Sequence, residues 1–335
     1  MDIRQIQCFL CLYEEGSVTR AAAQLGIVQP ALSMQIGRLE KEFNVKLFER
    51  SSRGVVPTAE GSNFYAMLLP IMRDIENVRH SMLDVSGRAS GRVLIGVIPS
   101  LTSSIMPGLL RDYCVKHPDV AIQMAESYSA TLVDQVESGS LDVALTNHPG
   151  RATGLVVTEL VSEEMVLVTS RTAGLVPPGP VELRQIVRLN LVLPTGRQGI
   201  RGLIDRNLAR LGLAVKPRLE LDALVPTVEL VRSGDWATIL PLIAVYNQAD
   251  EKGLQLNPLS GPGMRRELVA VHHPRRPLTL AAKSLCDSVV QELRRVIEEA
   301  EGTLRLADPA QPAARKARGR RSAAGSMKPA DNGPR

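Results

Sequence analysis

The sequence predicts a mixed α/β protein in two parts: an N-terminal three-helix unit with a small β-hairpin and, beyond a long linker helix, a two-lobed α/β domain. Three observations predict this fold class. Apolar residues recur at helical spacing up to Phe43, a heptad pattern runs from Phe64 to Val85, and short apolar strands then alternate with helical segments. The 335 residues, 44% of them hydrophobic and 22% charged, are enough for more than one domain.

A helix-turn-helix is predicted between residues 17 and 43. Ser17 is a suitable N-cap for an alanine-rich helix, and Gly26 ends that helix. Gln29-Pro30 opens the next helix, because proline is tolerated in a first turn. Its buried face is predicted from apolar residues at spacings of four, three and four: Leu32, Ile36, Leu39 and Phe43. An earlier helical stripe completes the three-helix core: Ile3, Ile6, Phe9, Leu10 and Tyr13.

The segment from Val45 to Pro57 predicts a small hairpin, with Ser52-Arg53-Gly54 as its turn. A hairpin in this place is the wing of a winged helix-turn-helix, a motif whose second helix enters the major groove of duplex DNA. We therefore expect DNA contacts from residues off the buried stripe and from nearby arginines: Arg20, Gln29, Pro30, Ser33, Met34, Gln35, Arg38, Arg50 and Arg53.

These residues resemble the DNA-binding domain of the LysR-type transcriptional regulators. The shared elements follow one another in fixed order: Ala21-Ala22-x-x-Leu25, Gln29-Pro30-Ala31-Leu32-Ser33, Leu39-Glu40, Leu47-Phe48-x-Arg50 and Pro57-Thr58-x-x-Gly61. Met34 departs from the arginine often found at that place in the family, which leaves the base preference there open. Two later segments resemble the nitrogen assimilation control subgroup: Gly96-Val97-Ile98-Pro99-Ser100, and Leu193-Pro194-Thr195 with Gly199-Ile200-Arg201.

The resemblance implies a homodimer or homotetramer on interrupted palindromic DNA sites, contact with RNA polymerase, and modulation by a small-molecule effector. A linker helix starting at the expected N-cap Thr58 suits this assembly, because apolar residues repeat along it at heptad spacing. The predicted dimerisation residues are Phe64, Leu68, Ile71, Ile75, Val78 and Met82. The alternative is that this stripe packs on its own domain. We expect the DNA-binding domain over residues 1–58 and the linker helix with its hinge over 59–90.

Residues 91–303 are predicted to form the effector-binding domain, similar in fold to periplasmic binding proteins, with lobe one over 91–163 and 267–303 and lobe two over 164–266. Ligands of such folds bind in the cleft, near the carboxyl ends of strands. Hydroxyl residues expected at these positions suit a small anion: Ser100, Thr102, Ser103, Ser129, Thr146 and Thr195. Ordinary helix capping is the alternative for each of them.

Charge is concentrated at the C-terminus. Residues 305–335 hold eight basic and two acidic residues, a balance of +6, whereas the rest of the chain has 32 basic and 33 acidic residues. The segment 304–335 has no apolar periodicity and is predicted to be a disordered basic tail. Its basic run suits nonspecific phosphate contact, and a merely solvated tail is the alternative.

Other function classes lack support in the sequence. Cys8-x-x-Cys11 falls within a predicted helix without a second cysteine pair, and the five histidines show no ligand spacing. Neither a nucleophile elbow nor a phosphate loop occurs, so we expect no metal, no cofactor and no catalytic activity. No apolar run reaches membrane-spanning length and no secretory signal is recognised, so we expect a cytoplasmic protein without membrane contact. Two alternatives to an effector-controlled regulator remain: a regulator without a small-molecule effector, and a two-lobed small-molecule-binding protein whose DNA binding is secondary.

Overall fold

The computed structural model describes residues 1–51, 54–83, 89–150, 152–248, 253–261 and 263–306. These residues form two compact units. The first contains Met1–Ser162 and Glu267–Leu293, and the second contains Glu163–Arg266 and the described residues from Arg294 onward. Within the described residues, no helix combines the length and the apolar character needed to cross a bilayer.

The N-terminal domain confirms the predicted helices and hairpin: α1 (Ile3–Glu15), α2 (Val18–Gln24), α3 (Gln29–Phe43), β1 (Phe48–Ser51) and β2 (Gly54–Pro57). The Ser17 hydroxyl accepts a hydrogen bond from the Arg20 N–H, as expected of an N-cap. Phe9, Leu32 and Leu39 are completely buried in the core. The prediction that Phe43 belongs to this buried stripe is wrong, since it is 43% exposed where α3 ends at the left-handed C-cap Asn44.

Helix α4 (Ala59–Leu83) follows the hairpin, with the Thr58 hydroxyl accepting from the Gly61 N–H at 2.9 Å. Leu68 is 2% exposed in the core of the N-terminal domain, so the prediction that it lies on a dimerisation face is wrong, because almost none of its surface remains for a partner. Phe64 and Ile75 pack in part against the same core. The other three predicted residues stay exposed: Ile71, Val78 and Met82.

The α/β part of the first unit is built from β3 (Gly91–Val97), α5 (Pro99–Thr102), α6 (Met106–Lys116), β4 (Val120–Glu126), α7 (Ser129–Glu137) and β5 (Val143–Asn147). The strands lie in the order β4-β3-β5, all parallel, and β12 (Arg265–His272) pairs antiparallel with β5. Because parallel strands share one carboxyl edge, residues after β3 and at the end of β5 lie at the same edge of this sheet.

The second unit repeats this plan with β6 (Val156–Ser170), β7 (Val181–Glu182), α8 (Leu183–Ile186), β8 (Asn190–Leu193), α9 (Gly199–Arg210), β9 (Leu219–Glu220), α10 (Leu224–Ser233), β10 (Trp236–Pro241) and β11 (Leu254–Ser260). Strands β9, β8 and β10 are parallel, and β6 pairs antiparallel with β10 and with β11. Strand β11 was not expected, since Pro258 and buried polar residues such as Asn257 obscure its pattern.

The last helix, α11 (Leu280–Leu306), is longer than expected. The prediction that the disordered tail begins at residue 304 is wrong, because Leu304 is 7% exposed and packs, like Ala300, into the core around Val166 and Val168. For the same reason the helix residues from Arg294 belong to the second unit, whereas we expected the whole helix in lobe one. Residues 307–335 lie outside the described part of the chain.

Candidate nucleic-acid interface

Helix α3 presents one face to solvent, opposite the buried side chains of Leu32, Ile36 and Leu39. Five of the residues predicted to contact DNA are exposed on it or at its edges: Gln29, Pro30, Ser33, Met34 and Arg38. Gln35 is half buried, and its side-chain carbonyl oxygen has no hydrogen-bond partner within the described residues. The structure therefore brings this part of the predicted site together on a single helix.

Two arginines of the predicted site have partners on the same domain. The Nη2 atom of Arg38 lies 3.8 Å from the Met34 sulfur, one turn earlier on α3. Arg20 donates from Nε to the Glu15 carboxylate at 3.0 Å and from Nη2 to the Glu15 backbone oxygen, while its side chain stays 66% exposed. Arg20 thus connects the end of α1 with α2 and remains accessible to a phosphate.

The hairpin is fixed to the helices by backbone contacts. The Val55 N–H donates to the Gly16 oxygen at 3.0 Å, next to Gly54, where a Cβ would lie 2.6 Å from that oxygen. Glu40 of α3 accepts from Leu47 N–H at 2.9 Å and from Lys46 Nζ at 2.8 Å. Burial opposes ionisation of Glu40, but these hydrogen bonds outweigh it and lower its pKa.

Of the predicted wing arginines, Arg53 and the side chain of Arg50 lie outside the described residues. An open depression lies between α2, α3 and the hairpin, and it adds residues that the sequence reasoning did not single out, notably Thr19 and Val28. Val28 is the N-cap of α3 and is 68% exposed. The sequence could have indicated Val28, because this residue directly precedes the predicted second helix.

The effector candidates of lobe one gather at the carboxyl edge of the β4-β3-β5 sheet. Ser100, Thr102 and Ser103 lie in or directly after α5, which follows β3. The hydroxyls of Thr102 and Ser103 donate to the Pro99 oxygen at 3.0 and 2.9 Å, and Thr102 also donates to Glu126. These two hydroxyls therefore donate to the backbone of their own helical turn, which differs from helix capping, where a hydroxyl accepts from a backbone N–H.

Two further candidates lie on the neighbouring elements of lobe one. Ser129 is the first residue of α7, and its hydroxyl accepts from Asn147 Nδ2 at 3.1 Å. Thr146, on β5, is completely buried, and its hydroxyl has no hydrogen-bond partner among the described residues. A buried hydroxyl without a hydrogen-bond partner destabilises the folded protein, so Thr146 is the effector candidate to which a ligand would supply a missing partner.

In lobe two, Thr195 is engaged by a carboxylate of the chain itself. Asp222 accepts from the Thr195 N–H at 2.8 Å, from the Thr195 hydroxyl at 2.7 Å and from Gln198 Nε2 at 2.8 Å. Burial opposes ionisation of Asp222, but the hydrogen bonds from Thr195 and Gln198 outweigh it and lower its pKa. An anionic ligand at Thr195 would therefore have to displace Asp222.

The linker helix contacts lobe one within the first unit. Arg73 of α4 donates to the backbone oxygens of Gly139 and Ser140 at 3.0 and 3.1 Å. Its neighbour Asp74 forms an ion pair of 2.9 Å with Arg276. The turn that contains Gly139 joins α7 to β5, the elements that carry Ser129 and Thr146. The effector candidates Ser129 and Thr146 are thus connected to the linker helix through α7, β5 and the turn between them.

The cysteine pair of α1 faces the interior of the N-terminal domain. Cys8 and Cys11 are buried, and the Cys11 sulfur lies 3.4 Å from Gln24 Oε1 and 3.6 Å from the Ala21 oxygen. Burial raises the pKa of both thiols. In this environment the two side chains act as packing groups between α1 and α2.

Two family models match the chain. Residues 3–62 match "Bacterial regulatory helix-turn-helix protein, lysR family", and residues 86–294 match "LysR substrate binding domain". The nitrogen assimilation regulatory protein nac of Klebsiella aerogenes is 30% identical over 269 residues, covering 80% of this chain and 87% of that protein. The protein of the same name from Escherichia coli (strain K12) is 29% identical, covering 87% of this chain and 95% of that protein.

Solved structures share the fold. The C206 mutant of OxyR from Corynebacterium glutamicum aligns with a TM-score of 0.66 and 22% identity over 90% of this chain and 95% of that one. Full-length CbnR, described in a complex with its target DNA, aligns with a TM-score of 0.61 and 18% identity over 88% of this chain and all of that one.

Proposed function

The chain belongs to the LysR family of bacterial regulatory helix-turn-helix proteins, and on that premise we propose that α3 and the wing carry its sequence-specific binding to promoter DNA. The two relatives described above are named as regulatory proteins, not as enzymes. The observation that carries the proposal is the exposed face of α3. Four polar or proline residues lie on it, while the opposite face of the helix is buried in the core: Gln29, Pro30, Ser33 and Arg38. The major groove of B-DNA is wide enough to admit an α-helix.

The proposed target is an interrupted palindrome bound by a homodimer or by a pair of dimers. The solved structure of CbnR with its target DNA provides a precedent for DNA binding by a protein of this fold. Ile71, Val78 and Met82 offer an exposed apolar row on α4 for a second copy. Two copies related by a twofold axis require two half-sites of matching symmetry. Contact with RNA polymerase and activity in the cytoplasm, where promoter DNA is found, belong to this proposal.

A small-molecule effector is proposed for lobe one. The support is the buried, unpaired hydroxyl of Thr146 near the other hydroxyl candidates of the same sheet edge. A small carboxylate that raises the melting temperature of the wild type but not of Thr146→Val would support this site. If no carboxylate distinguishes the two proteins, the anionic effector at Thr146 is contradicted.

A regulator that needs no small-molecule effector is the second candidate function. It is favoured by Asp222, because this carboxylate already accepts the hydrogen bonds that Thr195 would offer to an anion. The two candidates differ in lobe one, where only an effector-controlled regulator requires a ligand at Thr146.

Sequencing of genomic DNA captured by the purified full-length chain, at near-physiological salt with excess competitor DNA, tests the proposal. We expect sharp enrichment of fragments that share an interrupted palindrome. If the folded protein enriches no sequence, with or without added metabolite extract, the proposed function is wrong. Truncation after Leu306, with binding measured over a salt series, shows whether the basic tail contributes, because loss of its phosphate contacts would lower the salt dependence of binding in the truncated chain.

A further inference from the structure

The exposed face of α3 contains a glycine whose presence nothing within the described chain explains. Gly37 lies in the interior of the helix, where glycine is about 1 kcal/mol less favourable than alanine. A Cβ added there would meet nothing within 4 Å, and its backbone is not in the left-handed region. Packing within the domain therefore does not require glycine at this position.

Met34, one turn before Gly37, is the second unusual residue of this face. It is 50% exposed, although a methionine on a helix surface leaves an apolar side chain in water. A rotation of about 100° per residue places Met34 on the side of α3 opposite Leu32, Ile36 and Leu39. Its sulfur contacts the Arg38 guanidinium at 3.8 Å, which orients both side chains along the helix. Met34 and Gly37 thus lie at the centre of the surface that points away from the core.

We propose that Met34 and Gly37 form an apolar reading surface for a thymine in the major groove, with the Met34 side chain against the 5-methyl group and the missing Cβ of Gly37 allowing the helix to lie close to the bases. The assignment rests on the proposed function. The 5-methyl group of thymine is the apolar group that the major groove displays, and apolar side chains read it by contact. Glycine is used where a backbone approaches a ligand closely.

Replacement of single thymines by uracil in a captured binding site removes only the methyl group and tests the contact directly. We expect the wild type to lose about fourfold in affinity at one thymine of each half-site, the equivalent of one buried methyl group. Met34→Ala should bind more weakly and should show no further loss at that thymine. The matched control is Ile3→Ala on α1, because Ile3 is 50% exposed, like Met34, and not buried in the core as its place in the apolar stripe predicted. This variant should keep the full uracil effect.

Gly37→Ala separates stability from DNA binding. We expect the melting temperature to rise by about 2–4 °C, as for an exposed helical glycine, while specific affinity falls about tenfold. Gly108→Ala is the control for the added methyl group, because Gly108 is an exposed glycine in the first turn of α6 with equally open space around it. It should keep DNA affinity.

The outcomes distinguish this assignment from the proposed function. If the wild type binds its site but no uracil substitution weakens it, or if Met34→Ala keeps the uracil effect, the thymine contact is wrong. If Gly37→Ala binds as tightly as the wild type, the close approach at Gly37 is wrong. A folded wild type without any sequence preference would overturn the proposed function itself, and the assignment with it. Met34→Arg should shift the preferred base at this position from thymine to guanine, since arginine pairs with guanine O6 and N7.

Discussion

The Arg266 guanidinium and the Glu163 carboxylate form an ion pair with 2.5 Å between Nη2 and Oε1 and with both side chains almost completely removed from solvent. The second Glu163 oxygen accepts from the Ile243 N–H at 3.2 Å. Burial raises the pKa of Glu163, and the charge of Arg266 opposes that rise. Glu163 is the first residue of the second unit and Arg266 is the last residue of that unit's first segment, so the ion pair joins β6 and β12 at the two ends of this segment.

We expect Arg266→Met to lower the free energy of unfolding by about 3 kcal/mol or more, because it leaves the Glu163 carboxylate buried without a counter-charge. The double variant with Glu163→Gln should regain part of this loss. Denaturant unfolding of the full chain measures both. Arg295→Met, which removes an exposed pair with Glu299, is the control and should change stability by less than about 1 kcal/mol. A cost for Arg266→Met no larger than the control would contradict the expectation.

Arg38→Ala should weaken DNA binding by a similar factor on all sequences, because we expect the exposed Arg38 guanidinium to contact a DNA phosphate and not a base. The slope of log affinity against log salt should fall by about one. Fluorescence anisotropy over a salt series measures it. Arg111→Ala, an exposed arginine on α6, is the matched control. An unchanged slope in Arg38→Ala would remove Arg38 from the phosphate contacts.

Val78→Glu should weaken the homodimer at least about tenfold, since it places a charge in the exposed apolar row of α4. Sedimentation at several protein concentrations gives the dimer dissociation constant. Val115→Glu introduces the same charge at another exposed helical valine, on α6, and should leave the dimer unchanged. Equal dissociation constants for the two variants would show that this row of α4 is not the dimer interface.

Asp222→Asn should be less stable than the wild type at neutral pH, by about 1–2 kcal/mol, because the ionised carboxylate accepts the hydrogen bonds of Thr195 and Gln198. A lowered pKa in the folded state means that this stabilisation is present above the ordinary value of 3.8 and is lost as the pH falls through the folded value. The difference in melting temperature should therefore narrow on acidification. Asp235→Asn, at an exposed carboxylate, is the control. A gap that stays constant from pH 7 to about pH 3 would contradict this.

The helix-turn-helix could be predicted because its determinants are local. Ser17 caps a helix that starts one residue later, and Leu32, Ile36 and Leu39 define a face by their spacing alone. The same reasoning failed where a pattern is shared between structures. The stripe on α4 has one period whether its side chains meet a second copy or their own domain, and only the packing of Leu68 beside α1 decided that residue.

The sequence by itself determined the helices and hairpin of the N-terminal domain, the exposed face of α3 and the family of the chain, because each depends on residues within a few turns of one another. The tertiary structure alone decided which charges and hydroxyls meet. Arg266 and Glu163 are 103 positions apart, and Thr195 and Asp222 are 27 apart, and neither pair has a signature in spacing or composition. Such contacts follow from how strands align across a sheet, and that alignment is set by the burial of whole faces rather than by any local pattern.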